Sequence, residues 1–242
     1  MTLEKARTRD RGFTAIELLV VLAVLAVLIA ILLPAVAGVR NRAEDTAAAG
    51  ALRQTYVALQ LYSFEHNLGL PYWNTPGDPD GPYELYGRNV YHFPGSGHFE
   101  RMSWTWANMI VPYMSGTSDI GPRPFRLVSH PDDETLFLCR FKMTYGAFAD
   151  PWFWSDDRPA TDSMLRGTRM TEVKWPARKA LLIDGATNHR LNGGVMVQCA
   201  AADGSIGSHP PRSESGVVDR LHYGAAIAPL FATRYGLRGI DF

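Results

Sequence analysis

Between Leu18 and Val39 the chain carries 22 consecutive residues without a charge, LLVVLAVLAVLIAILLPAVAGV. Wound as an α-helix, such a run is about 33 Å long, enough to cross a hydrocarbon layer of about 30 Å with a little tilt. The preceding 12 residues carry Lys5, Arg7, Arg9 and Arg11 against Glu4 and Asp10, a net of +2. Basic flanks stay on the cytoplasmic side, so the bulk of the chain is expected to be exported. One acid, Glu17, stands at the mouth of the run. A lone carboxylate costs roughly a few kcal/mol deep in lipid and less near the interface, so its position needs a reason.

Three readings fit the segment. A secretory signal has a basic start, an apolar middle and a small-residue cleavage site, for which Ala35-Val36-Ala37 would serve. Its apolar core, however, spans only about 7–15 residues. A plain membrane anchor has the right length but leaves Glu17 unexplained. The third reading takes Arg11, Gly12, Phe13 and Glu17 together.

Gly12-Phe13-Thr14-Ala15-Ile16-Glu17 resembles the processing site of type IV pilins and type II secretion pseudopilins. The resemblance implies that a prepilin peptidase removes residues 1–12 as a leader and N-methylates Phe13. It makes Glu17 the hallmark glutamate of the fifth mature position, and Pro34 the proline these helices commonly carry. A buried charge is tolerable when paired. The implied role of Glu17 is therefore to meet the Phe13 amine of a neighbouring subunit and set the register between them. A carboxylate that only reaches towards the interface is the plainer alternative.

Beyond the membrane the helix is expected to continue to about His66, some 80 Å in all. AGVRNRAEDTAAAGALRQTYVALQLYSFEHNLG is rich in good helix formers. Leu52, Tyr56 and Leu59 share one face, and Val57, Leu61 and Phe64 form a second apolar strip, which predicts burial on more than one side. Gly69 and Pro71 supply the stop. ALRQTYVALQLYSFEHNLGLP also resembles a segment of pilin-like proteins of planctomycete and verrucomicrobial type.

The expected organisation is a basic leader (1–12), an N-terminal helix (13–66, transmembrane over about 16–39) and an exported α+β head (67–242). The fold expected is pilin-like, with the long helix packed on an antiparallel sheet. Residues 68–99 read as loop, with Asp78, Asp80 and Gly81 hinting at a calcium loop that lacks the EF-hand glutamate. SWTWANMIVPYMSG (103–116) reads as a helix whose Trp104, Trp106 and Tyr113 belong to the core. VKWPARKALLIDGAT reads as a strand ending in an Asp-Gly turn. NGGVMVQCAAADGSIGSH reads as a hairpin around Asp203-Gly204. Cys139 and Cys199 lie in strand-like segments outside the inner membrane, where they could pair or remain buried thiols.

LVSHPDDETLFLC resembles the signature of zinc-dependent N-acetylglucosamine deacetylases, in which His130 and Asp133 would bind zinc and Asp132 would be the base. The third ligand of that family, a downstream His-x-x-His, is missing, and a Pro-Asp turn is the plain reading. A tethered deacetylase and an exported binding module are the alternatives to a structural subunit. The whole chain has net charge zero, so with the +2 leader removed it carries −2. No basic stripe points to nucleic acid. The expected partners are the peptidase/N-methyltransferase, other pilin-like subunits, an inner-membrane assembly platform and the membrane itself. No cofactor is called for.

Overall fold

The computed structural model describes residues 14–79, 84–85, 88–89, 97–114, 125–129, 135–191, 194–211, 215–216, 218 and 230–242. The chain divides into two compact units, Met1–Asp45 and Thr46–Phe242, and helix α1 (Ala15–Glu65) contributes to both. Its first half is built from Leu, Val, Ile and Ala. Pro34 stands inside it and, having no N–H, cannot bond the carbonyl four residues back. The helix ends in a left-handed turn: Asn67 and Leu68 have φ of 53° and 61°, and the Leu68 N–H donates to Ser63 O at 2.7 Å. That bond closes the last open carbonyls in the manner of a Schellman cap.

In the head unit, α2 (His98–Thr105) runs into a 3-10 helix (Trp106–Tyr113). The helix expected at 103–116 thus starts five residues earlier and tightens before Pro112, whose missing N–H favours the shorter-range winding. Glu84–Leu85 (β1) pairs with Arg88–Asn89 (β2), and Phe125–Ser129 (β3) with Thr135–Cys139 (β4), both antiparallel. The central sheet is antiparallel with strands in chain order: β5 (Phe141–Met143), β6 (Ala180–Leu191), β7 (Gly194–Ala201) and β8 (Ile206–His209).

The turn between β7 and β8 is the expected Asp203-Gly204 pair. The Asp203 carboxylate accepts from the Ser205 N–H (2.9 Å) and hydroxyl (2.7 Å), while Gly204 takes φ of 90°. The other expected turn, at Asp184-Gly185, is not one: β6 continues through it to Leu191. Ile183 lies opposite Cys199 and Asn188 opposite Val197, so the extra residues are taken up as a bulge. Asp184, 2% exposed, is gripped by Arg140 through Nε at 2.9 Å and Nη2 at 2.7 Å. A two-pronged ion pair holds the aspartate in the strand, where its side chain would otherwise have served a turn.

The main core joins α1 (Leu52, Tyr56, Leu59, Tyr62) to α2 (Phe99, Met102), the following 3-10 helix (Trp106, Ile110), the sheet (Phe141, Leu182, Ala200) and Phe148, Phe153 and Trp154. Polar links tie these elements: Tyr56 donates to Ala202 O (2.6 Å), Trp106 to Phe141 O (2.9 Å) and Ser103 to Met143 O (2.7 Å). Trp106 is fully buried, as expected of a core residue. The second strip of α1 is not buried: Val57 and Leu61 are each 48% exposed and Phe64 72%. The head covers one face of the helix, because the sheet and α2 lie against Leu52, Tyr56 and Leu59.

Cys139 and Cys199 are both free and buried, so the possible bridge is not formed. Cys139 belongs to the main core. Cys199 belongs to a smaller cluster with Ala180, Ile183, Val197 and Leu230, while its neighbour Ala200 faces the main core, as strand alternation requires. Burial pushes both thiols up to about 12.

Between β5 and β6 the chain forms short 3-10 turns, at Tyr145–Phe148, Pro151–Trp154, Asp162–Met164, Met170–Glu172 and Pro176–Arg178. Arg166 pins them by pairing with Asp150 (2.9 Å) and Glu172 (2.8 Å). After β8 the described residues form turns and the 3-10 segment Gly236–Arg238. Asp241 returns the chain end to β6. Its carboxylate lies 3.0 Å from Lys179 Nζ, both side chains being 0% exposed, and accepts from the Ala180 N–H at 2.9 Å and from the Thr233 hydroxyl.

A Cβ at position 204 would meet Tyr56 Cε1 at 2.9 Å on a backbone already at φ 90°. Gly204→Ala is therefore expected to cost about 1–3 kcal/mol. Gly50→Ala, on helix α1 with nothing within 4 Å, should gain about 0.5–1 kcal/mol. Thermal unfolding of the detergent-solubilised chain checks both signs. The Arg166 guanidinium, through its hydrogen bonds, also lowers the Glu172 carboxyl below the usual carboxylate range. A carboxyl lowered in the folded state stabilises at neutral pH and loses that contribution as pH falls through its folded value. Between about pH 6 and pH 3 the native chain should therefore lose more stability than Glu172→Gln, measured by urea unfolding at each pH.

Candidate assembly site

The first described residues form a tight cap. The Thr14 N–H and hydroxyl both donate to Glu17 Oε2 at 2.8 Å, and the Glu17 N–H donates back to Thr14 Oγ1 at 3.3 Å. This is a capping box: the first amides of a helix have no carbonyl partner within it, and reciprocal side-chain bonds satisfy them. Glu17 thus has a local task at the start of α1. That task occupies one carboxylate oxygen, since each of these bonds to the carboxylate goes to Oε2. The negative charge also lies at the positive end of the helix dipole. The signal was present in the sequence as Thr14-x-x-Glu17, a Thr followed three residues later by Glu before an apolar run.

From that cap the helix presents its apolar side chains outward. Ile16 is 76% exposed, Leu19 68% and Ile31 68%, and no part of the most apolar 18-residue window, mean hydropathy 3.3, is covered by the rest of the chain. The helix is long and apolar enough to cross a membrane. Pro34 lies exposed in the same stretch. In the head unit Val57, Leu61 and Phe64 form a separate exposed apolar strip on α1.

The remaining candidates do not converge. Gly12, Phe13, Asp80, His130, Asp132 and Asp133 lie outside the described residues. Asp78 sits in a backbone turn, its N–H donating to Thr75 O and its carbonyl accepting from the Asn74 side chain. The strands flanking residues 130–134 pair with each other, Ser129 opposite Thr135. Among the described residues no group of three His, Cys, Asp or Glu side chains is placed to hold a metal ion. Trp104 is half-buried under the Lys142 ammonium, 4.0 Å from its ring centroid, and Tyr113 donates to the Glu65 carboxylate. Both serve as packing partners.

Comparison with known proteins places the N-terminus. The family model of the prokaryotic N-terminal methylation motif matches residues 7–33. A curated relative, the type IV wide pilus major component PilA4 of Thermus thermophilus, is 39% identical over 57 residues. That match covers 24% of this chain and 44% of the relative, so the chain spans less than half the length of the protein it matches. No solved structure matches. The long apolar helix, the antiparallel α+β head and this motif are together similar to those of type IV pilins. The chain is type IV pilin-like.

Proposed function

We propose that the chain is a non-catalytic structural subunit of a type IV pilus-like or type II secretion pseudopilus filament, assembled through helix α1. The observation that carries this reading is that α1 leaves apolar side chains exposed in both of its halves. The helix is uncovered over the membrane-length stretch and still exposed at Val57, Leu61 and Phe64 in the head. An anchor needs the first stretch alone, whereas a bundle of helices also uses the second. The relative is described as the major component of a type IV wide pilus, which supports a structural role.

In this reading a prepilin peptidase cuts between Gly12 and Phe13 on the cytoplasmic side and methylates the new amine. The head is periplasmic, and an inner-membrane platform draws the subunit into the filament. Glu17 then has two tasks: Oε2 caps its own helix, and Oε1 meets the Phe13 amine of the neighbouring subunit. The pairing removes an unpaired charge from a lipid-like interior, which is the condition for burying it there.

Gly12→Ala should leave the chain at its unprocessed mass, whereas intact-mass spectrometry of the native product should read a chain beginning at methylated Phe13. A mature terminus at any other residue would overturn the processing scheme. Glu17→Gln separates the two tasks of the acid, because an amide oxygen still caps but carries no charge. Glu17→Gln is expected to insert in membranes as the native chain does and to yield about tenfold fewer filaments, counted by electron microscopy after overexpression. Native filament yield from Glu17→Gln would reduce the role of Glu17 to capping.

A further inference from the structure

Outside α1, the large hydrophobic side chains that stand exposed among the described residues are Trp152 (41%), Trp175 (43%) and Tyr235 (38%). All three are aromatic, and two of them, Trp152 and Tyr235, line one cavity. Pro151, Trp152, Lys174, Tyr235 and Arg238 line a cavity of about 190 Å³, and Trp175 adjoins it beside Lys174. Isolated exposed apolar residues are ordinary, but a cluster confined to one concavity marks a binding surface.

The cluster is laced with cations. Arg158 lies over the Trp152 ring, 4.7 Å from its centroid, and Lys174 lies 5.3 Å from that of Trp175. Elsewhere among the described head residues several basic groups are ion-paired: Arg140 with Asp184, Arg166 with Asp150 and Glu172, Lys179 with Asp241 and Arg234 with Asp156. Arg158 and Lys174 are in none of these ion pairs, and Arg238 acts only at longer range on Asp150, whose carboxylate is held by Arg166. The patch is also rigidly presented. Tyr235 adopts a left-handed backbone (φ 64°), rare for an aromatic residue, held by its N–H donating to Trp154 O at 2.9 Å. A Cβ on the next residue, Gly236, would lie 2.6 Å from Trp154 Cδ1, so this corner is packed against the core.

We propose that this cavity binds a single acidic sugar ring, a uronate-type unit of an anionic polysaccharide. The indole and phenol faces take the flat C–H face of the ring, the Tyr235 hydroxyl meets a sugar hydroxyl, and Lys174 and Arg238 pair with the carboxylate. The volume is below the roughly 300–1,000 Å³ of sites for drug-sized ligands, which suits one ring. The cationic lining repels ammonium ligands that aromatic cages otherwise take. Nucleic acid is disfavoured because its binding draws on many phosphate contacts, and this chain has net charge zero with two cations lining the cavity. The proposal is independent of filament assembly.

The test uses the full chain in a zwitterionic detergent without a sugar headgroup, with trigalacturonate as the probe and tryptophan fluorescence and calorimetry as readouts. Saturable binding is expected. It should fall about tenfold in Trp152→Ala, in the double variant Lys174→Ala with Arg238→Ala, and for the methyl-esterified trisaccharide, the loss of a charge-assisted contact. Arg53→Ala, an exposed charge on α1, should bind as the native chain does. Since the mutated side chains are solvent-exposed, melting temperatures should hold, and the double variant decides if Trp152→Ala unfolds. No saturable binding, equal binding by the ester or by the double variant, or tighter binding of an oligothymidylate would overturn the assignment.

Discussion

One helix in this protein has to satisfy two surroundings, and most of the architecture follows from that. Over its first half α1 exposes Leu, Val and Ile on every side, which is stable only where the surroundings are themselves apolar. Over its second half one face, carried by Leu52, Tyr56 and Leu59, must be taken out of water by other parts of the chain. The sheet and α2 do this from one side. A helix without interruption cannot turn away from lipid once it has begun, so the change of surroundings is made by side chains. Arg40, Arg42, Glu44 and Asp45 mark where charge first returns.

The start of that helix is a second constraint. Four amides at a helix N-terminus have no partner of their own, and apolar surroundings offer none. Thr14 and Glu17 meet the need locally. The acid that looks misplaced beside a membrane run is therefore a helix cap first, and whatever it does towards a neighbour is done with the oxygen left over.

In the head, buried charges hold what apolar packing leaves open. Arg140 and Asp184 keep β6 in line where its sequence favours a turn, and Lys179 and Asp241 pin the chain end beside the start of the same strand. Burial alone pulls the Lys179 ammonium below its ordinary value, and the Asp241 carboxylate opposes that pull. Such pairs add little net stability, but removing one partner strands the other in the core. They fix which arrangement the core adopts, in a region where short 3-10 turns supply few ladder hydrogen bonds.

Much of the molecule was legible beforehand because its signals are local. An uncharged run of membrane length, helix-forming residues to about His66 and an Asp-Gly pair between apolar runs each act within a few residues of themselves. The failures were those of long-range partners. Asp184-Gly185 has the same local chemistry as Asp203-Gly204, yet only the second turns, because Arg140, 44 residues away, claims the first aspartate. Val57, Leu61 and Phe64 have the periodicity of a buried face but stay exposed, because periodicity says which residues share a face and not whether anything covers it. Two cysteines in strands could have met, but strand alternation sends Cys199 to the face away from the main core that holds Cys139. The sequence by itself determined the elements and the membrane-length helix, since backbone propensity and hydropathy are properties of neighbouring residues. The tertiary structure alone decided which apolar faces are covered, which charges are paired, and that Trp152, Lys174 and Tyr235 meet at one cavity, because those depend on contacts between residues far apart in the chain.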